Sequence, residues 1–275
     1  MNAAKTWKWT WVHVLLILTL LISIYPIYWV LQLSLKTHVE AFKTPPSWIF
    51  VPTFKNYQRL LVGGVFPSRL LNSFIVSTVA TVVALLIGTP AAYVFSRLRF
   101  RFKKAVFLFV LASRMIPPIS FILPYFMVYV QLGLMDTRTG LILIYMAFSM
   151  GLVVWSMWTF FDEIPMELDE AAEVDGASVL QTLWRVILPV SASGLTSTGI
   201  LTFVMAWNDF LFALILTRTQ AVTAPVQITV ALAYEAEDLG LMTAGAIAVA
   251  VPTILFTLIV RKYLRQGMLK GAVKG

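Results

Sequence analysis

The chain has 275 residues, of which 59% are hydrophobic and 12% are charged, and its mean hydropathy is +0.84. Soluble domains carry about 25% charged residues, so this composition excludes an ordinary soluble domain and indicates helices in a bilayer. Zero cysteines and two histidines exclude disulfides, thiolate metal sites and cysteine nucleophiles, and they leave little for imidazole chemistry. We therefore expect no catalytic residue and no metal site.

Apolar stretches long enough to cross a bilayer recur along the whole chain. A helix needs about 20 apolar residues for this, and six stretches qualify: 12–33, 70–95, 105–130, 140–161, 190–217 and 241–263. They predict an all-α, polytopic membrane protein. The first stretch is longer than a signal-peptide core and no small-x-small cleavage site follows it, so we interpret it as a retained anchor.

The basic residues predict the orientation of the spans. Lysines and arginines gather at one set of span ends, above all between Arg97 and Lys104, which places both termini in the cytoplasm. The net charge of +8 then reflects topology and contact with anionic headgroups rather than nucleic-acid binding. The predicted organisation is a cytoplasmic N-terminus (1–11), a first span with an ordered external segment (12–69), a core of spans (70–263) and a cytoplasmic tail (264–275).

Small and helix-breaking residues occur inside the spans. Ser73, Ser77, Ala84, Gly88 and Ala92 form a stripe on the second span that predicts close approach of another helix. In the third span, the run Met115-Ile116-Pro117-Pro118 removes two backbone donors. Irregular backbone at membrane depth is tolerated beside a cavity, so this run is a candidate part of a solute pathway. Ordinary helix packing is the alternative.

Two ionisable residues, Arg114 and Asp209, lie within predicted spans. Each costs about 3 kcal/mol at the bilayer centre, so each should face protein or water. Asp209 belongs to the sequence Trp207-Asn208-Asp209-Phe210, which combines rings and amides suited to stacking on and hydrogen-bonding a polar solute. A structural network that caps broken backbone is the alternative interpretation for Asp209.

The loop between the fourth and fifth spans carries the acidic charge. Seven of the thirteen acidic residues lie between Asp162 and Asp175. The segment predicts a short helix with Pro165 in its first turn, acids near its N-terminus and Gly176 at its end. Ala171 and Ala172 should give this helix a shallow face for a partner.

A second short helix is predicted to follow directly. Ser178 and Gln181 have the spacing of a capping box, and Pro189 should end the helix before the fifth span. A compact helix, turn and helix, the loop 162–189, should therefore project from the membrane.

These residues resemble a known pattern. Glu170-Ala171-Ala172, three residues, Gly176, nine residues and Val186-Ile187-Leu188-Pro189 are similar to the EAA loop of ABC importer permeases, which reads EAA, three, G, nine, I-x-L-P. The spacing matches throughout, and Val186 replaces the isoleucine. The resemblance extends to the smaller, MalG-type permeases of the carbohydrate-uptake branch through these segments: Asn72-Ser73, 97–102, Met115-Ile116-Pro117, 206–210 and 271–275.

The resemblance implies the type I ABC importer permease fold and a subunit of a sugar importer in a bacterial or archaeal cytoplasmic membrane. Its partners would be a second homologous permease, two copies of an ABC ATPase that bind ATP and Mg²⁺, and an external solute-binding protein. By the resemblance, the 162–189 loop is the coupling helix. The implied roles are polar contact with the ATPase for Glu170, packing in its groove for Ala171 and Ala172, the turn for Gly176, and the end of the motif for Leu188 and Pro189.

The C-terminal tail has an implied role too, since Gly271 and Lys274 would reach the ATPase dimer interface. The chain itself has no G-x-x-x-x-G-K phosphate loop, so hydrolysis must come from a partner. The alternatives are a secondary transporter that uses Arg114 and Asp209 for ion coupling, or an ABC permease for a polyamine or glycerol phosphate. An intramembrane hydrolase lacks its G-x-S-x-G or H-E-x-x-H pattern.

Overall fold

The computed structural model describes the backbone of residues 3–62, 64–234 and 238–272, and the side chains of 11–62, 64–112, 115–229 and 238–259. All regular structure in this part is helical. The helices are α1 (Ala3–Ser34), α2 (His38–Ala41), α3 (Lys55–Val62), α4 (Phe66–Arg97), α5 (Lys103–Met115), α6 (Ile122–Gln131), α7 (Arg138–Asp162), α8 (Glu167–Val174), α9 (Val179–Thr182), α10 (Leu188–Val190), α11 (Ala192–Trp207), α12 (Leu211–Leu216), α13 (Ala224–Tyr234) and α14 (Leu239–Ala272).

Within the described residues, four helical segments are long and apolar enough to cross a membrane: Trp11–Ser34, Phe66–Arg97, Arg138–Asp162 and Leu239–Ile259. A fifth is obtained if Val179–Val190 and Ala192–Trp207, which meet at 85°, count as one broken span. The six predicted stretches are all helical, but the third and fifth are interrupted. The sequence therefore places the apolar segments correctly and overestimates the number of continuous spans.

The third predicted span breaks where the prolines predict it. Helix α5 ends at Met115, Ile116 is extended with ψ 126°, and a 3₁₀ turn over Pro118–Phe121 leads into α6. Because Pro117 and Pro118 have no backbone N–H, neither can continue the hydrogen-bond ladder of α5.

The chain divides into two compact units. Unit 1 comprises Met1–Pro67 and Ile228–Ala250, and unit 2 comprises Ser68–Gln227 and Val251–Gly275. In unit 1, the segment after α1 folds back onto the end of that helix. Lys36 is 1% exposed and donates from Nζ to the Ser47 carbonyl at 2.7 Å, and Asn56 Nδ2 donates to the Ser34 and Lys36 carbonyls, each at 2.9 Å. These contacts hold the segment against the end of α1, and its external location stays a prediction.

The core of unit 2 lies between α4, α7 and the loop that follows α7. Its buried members are Ala84, Ala92, Tyr93, Val153, Met157, Phe161, Ile164, Leu183 and Ile187. A Cβ atom on Gly88 would lie 2.6 Å from Val153 Cγ1, so α4 and α7 are in backbone-close contact there. The small-residue stripe therefore serves helix packing, as predicted.

Candidate functional site

Helix α8 ends in a turn that requires glycine. Gly176 has φ +77°, and its N–H donates to the Glu173 carbonyl at 2.9 Å while the Ala177 N–H donates to the Ala172 carbonyl at 2.9 Å. This pair of bonds is the Schellman arrangement, in which a left-handed residue reverses the chain after a helix. The predicted helix end at Gly176 is confirmed.

The chain continues directly into α9. Ser178 and Gln181 form the predicted capping box, with the Ser178 N–H donating to Gln181 Oε1 at 2.8 Å and the Gln181 N–H donating to Ser178 Oγ at 3.4 Å. A wider π turn over Leu183–Ile187 then leads into α10, whose first turn contains Pro189. The helical run that begins at Val179 ends at Val190, one residue after the predicted stop at Pro189. The 85° bend comes after α10, with Ser191 between the two helices.

The exposed surface of the loop combines acids with apolar side chains. Glu170 and Ala171 are exposed, whereas Ala172 is 6% exposed and packs inward against the same chain. Both alanines were expected to face a partner, but the Ala172 side chain is already buried within this chain, so only Ala171 is available to one. Large apolar side chains remain exposed along the loop: Met166, Leu168, Val174, Val179, Leu180 and Trp184. An apolar surface rimmed by charge is typical of an interaction site.

A polar cluster attaches α8 to the end of α4. The Tyr93 hydroxyl donates to Oδ1 of Asp169, and Arg97 Nε lies 3.0 Å from Asp169 Oδ2 in an ion pair that lacks the angle of a hydrogen bond. Arg97 Nη2 also donates to the Ile164 carbonyl at 3.0 Å. The sequence assigned Arg97 to topology and missed this contact, because residues 72 apart in the chain give no local signal of pairing.

One cavity of about 170 Å³ in unit 2 lies between two interruptions: residues 116–117 after α5, and residues 208–210 between α11 and α12. It is lined by Ile116 and Pro118 at the first interruption, by Tyr145, Phe148 and Ser149 of α7, and by Met205, Ala206, Asp209 and Phe212 around the second. Asp209 Oδ2 accepts the Ala213 N–H at 3.3 Å, so the carboxylate supports the first turn of α12 while facing the cavity. The Tyr145 hydroxyl lies beside the Asp209 carboxylate, and both residues line the cavity.

The other predicted pathway residues lie around this cavity without lining it. Trp207 is buried and stacks on Phe203 with ring centroids 5.8 Å apart, and Asn208 exchanges hydrogen bonds with the Thr253 hydroxyl. Met115 is 84% exposed.

Of four further predicted residues, Pro117 is described in full, and the other three are described in part or not at all. Pro117 precedes the 3₁₀ turn, and the side chain of Arg114 lies outside the described residues. Lys274 lies outside them as well, and for Gly271 only the helical backbone is described.

A second polar network, also missed by the sequence, lies at the opposite end of α7. Asp136, with φ +54°, precedes α7, and its carboxylate accepts the backbone N–H groups of residues 218–221 at 2.9 to 3.1 Å and the Thr219 hydroxyl at 2.8 Å. Burial raises the pKa of Asp136, but these donors lower it more, so the pKa lies below its ordinary value. The carboxylate therefore stays ionised at neutral pH.

The same backbone segment is held by α4. Asn72 is 1% exposed and donates from Nδ2 to the Gln220 and Val222 carbonyls at 2.8 and 3.1 Å, while its Oδ1 accepts from Arg138 Nε at 2.8 Å. Asn72 was identified only through the family resemblance. Its contacts and those of Asp136 fix the connection between α12 and α13.

The family of the chain follows from its sequence. Residues 68–267 match the family described as binding-protein-dependent transport system inner membrane component. The chain belongs to this family, so it is a permease subunit of an ABC importer, lies in a membrane and is not an enzyme. The alternative of a self-sufficient secondary transporter is thereby set aside.

Individual relatives cover nearly the whole chain. The trehalose transport system permease protein SugB of Mycobacterium tuberculosis is 40% identical over 259 residues, which are 92% of this chain and 93% of the relative. The trehalose/maltose transport system permease protein MalG of Thermococcus litoralis is 34% identical over 263 residues, 94% of each chain. The fold is similar to a chain of a bacterial ABC transporter involved in import of the acidic polysaccharide alginate, with a TM-score of 0.79 at 22% identity over 96% of this chain and 98% of that one. The predicted fold class is confirmed.

Proposed function

We propose that the protein translocates a sugar or oligosaccharide. The two relatives named above carry trehalose or maltose in their names, and their similarity extends over more than nine-tenths of this chain. The importer would contain a second homologous permease, two ABC ATPase subunits that bind ATP and Mg²⁺, and an external binding protein that delivers the sugar. In this arrangement both termini and the 162–189 loop are cytoplasmic, and the core spans occupy 70–263.

The single observation that carries the coupling role is the exposed surface of the 162–189 loop. Glu170 and Ala171 are exposed beside Leu168 and Val174, while the turn at Gly176 and the inward-facing Ala172 fix the shape of the loop. We assign Glu170 and Ala171 to contact with the ATPase, and Ala172 to packing within this chain. ATP binding closes the ATPase dimer, and the docked loop passes that movement to the spans, because ATP and loaded binding protein favour the outward-facing state.

The cavity beside Asp209 is the candidate solute pathway. It lies between two interrupted helices, where irregular backbone can be accommodated, and it presents a carboxylate, a phenol and the rings of Phe148 and Phe212. Such a combination of acceptors, donors and rings suits the hydroxyls and apolar faces of a sugar. The tail, including Gly271 and Lys274, is assigned to the ATPase interface on the family resemblance.

Reconstitution of the complete complex tests this function. Purified complex in liposomes is supplied with binding protein and with trehalose, maltose, spermidine or glycerol 3-phosphate. The expected result is ATP-dependent accumulation of a sugar, with ATPase activity stimulated by the loaded binding protein. Accumulation of spermidine or glycerol 3-phosphate alone would refute the sugar assignment. The isolated chain should hydrolyse no ATP, and hydrolysis free of contaminant would refute the division of roles.

A further inference from the structure

Helix α8 has almost no apolar attachment to the rest of its chain. Of its eight residues, only Ala172 is buried. A single alanine methyl group buries little area, and hydrophobic stabilisation scales with the area removed from water. The position of α8 must therefore depend on its polar contacts as well as on the turns at its two ends.

Asp169 supplies the polar contacts of α8 with α4. Its carboxylate receives the Tyr93 hydroxyl and pairs with Arg97, and the side chains of Arg97 and Asp169 are only 8% and 16% exposed. A guanidinium has donors on several nitrogens in a fixed plane, so Arg97 also holds the Ile164 carbonyl just before α8. One arginine of α4 thus fixes the loop at two points, five residues apart.

Tyr93 connects this polar cluster to the packed core of unit 2, because it bonds to Asp169 and is itself a member of the core. The Tyr93 ring meets Phe161 of α7 edge-on, with centroids 5.9 Å apart and planes at 88°. Further along α4, Gly88 is in close contact with Val153 of α7. When Asp169 moves, it should therefore pull on α4 directly and, through the Tyr93 ring, push against α7. Close-packed side chains transmit such displacements because interiors have few voids.

From this geometry we propose that Asp169, Arg97 and Tyr93 form the link that passes movement of α8 to the spans α4 and α7. Asp169 is a positioning residue: it contacts neither sugar nor nucleotide, and it acts by holding α8 rigidly to α4. The inference rests on the proposed coupling role of α8. It assigns to Asp169 a function distinct from that of its neighbour Glu170, whose side chain is exposed.

The test uses Asp169→Asn and Arg97→Gln, singly and together, in the complete complex in liposomes. Removing one partner of a buried pair leaves the other uncompensated, so the ratio of trehalose accumulated to ATP hydrolysed should fall about tenfold in each single variant. The double variant should fall no further, because residues that act through each other are not additive. Arg99→Gln removes an exposed charge two residues after Arg97 and outside the 162–189 loop, so it is the control, with an unchanged ratio expected.

A second measurement does not depend on the sugar. Hydrogen exchange of the complex is followed with and without a non-hydrolysable ATP analogue and Mg²⁺. In the wild type, the analogue should change exchange both in α8 and at the end of α4; in Asp169→Asn it should change exchange in α8 alone. A merely structural role of Asp169 would not separate the two responses.

The outcomes distinguish the link from the proposed function. A normal ratio in Asp169→Asn, or a transmitted exchange response, would overturn the link while leaving the importer intact. A wild-type complex that accumulates no sugar would refute the sugar assignment, and the exchange experiment would still decide the link. If Asp169→Asn does not assemble, Tyr93→Phe removes only one oxygen atom and should lower the same ratio; a normal ratio in that variant would then overturn the proposal.

Discussion

The turn at Gly176 gives a quantitative test of the loop geometry. Its φ of +77° lies in the left-handed region, and a Cβ atom placed there would meet no heavy atom within 4 Å. Gly176→Ala should therefore cost only the backbone strain of an L-residue, about 1–2 kcal/mol. A cost of this size reduces the population of the native turn by a factor of about 5–30. Valine should cost more, because a β-branched residue with positive φ is a genuine outlier.

Coupling should fall in the same order as the strain rises. We expect the ratio of sugar accumulated to ATP hydrolysed to decrease from glycine to alanine to valine, and to recover partly in Gly176→Asn, since asparagine tolerates the left-handed region. The assay is uptake and phosphate release on the same proteoliposomes, with thermal unfolding of the complex as the measure of stability.

Gly133 provides a matched control. It has φ +65° and no heavy atom within 4 Å of an added Cβ, but it lies between α6 and α7. Gly133→Ala should lower the unfolding temperature about as much as Gly176→Ala while leaving the ratio unchanged. Normal coupling in Gly176→Val, or equal uncoupling in Gly133→Ala, would contradict the role of this turn.

Three further outcomes follow from the other contacts. Asp136→Asn should lower the free energy of unfolding by about 1 kcal/mol, a value reduced because Asp136 is partly exposed. Asp162→Asn removes an exposed carboxylate and is the control, so it should leave the free energy of unfolding unchanged. Because the folded pKa of Asp136 is lowered, its contribution is complete above the ordinary value of 3.8 and is lost only below it, so the difference in unfolding temperature should be constant from pH 5 to pH 8. Asp209→Asn should keep assembly and impair uptake if the cavity carries solute; unimpaired uptake would restrict Asp209 to capping α12. Gly88→Ala should lower the free energy of unfolding by about 1–3 kcal/mol through overpacking against Val153. Gly199→Ala is the control and should be tolerated, because its Cβ would meet only the flexible tip of Leu85 at 3.1 Å. Equal unfolding temperatures for the two variants would refute the close contact of α4 with α7.

Local sequence determined the features whose physics is local. Apolar length predicted the four long apolar helices of the described residues, the two adjacent prolines predicted the break after α5, and the Ser178–Gln181 spacing predicted the capping box. Gly176 was predicted to end α8 because a left-handed position excludes most side chains. In each case the residues that cause the structure lie within one or two turns of it.

Only the tertiary structure decided which distant residues meet. Arg97 looked like a topology signal, and its pairing with Asp169 depends on where α4 and α8 end in space. Asp136 gave no signal because its partners are backbone N–H groups, which every non-proline residue carries. Ala172 could not be oriented from its motif, since the side of a short helix that faces the core depends on what packs beside it. The sequence alone thus determined the helical segments, the break after α5 and the family pattern, and the tertiary structure decided which charges hold them together.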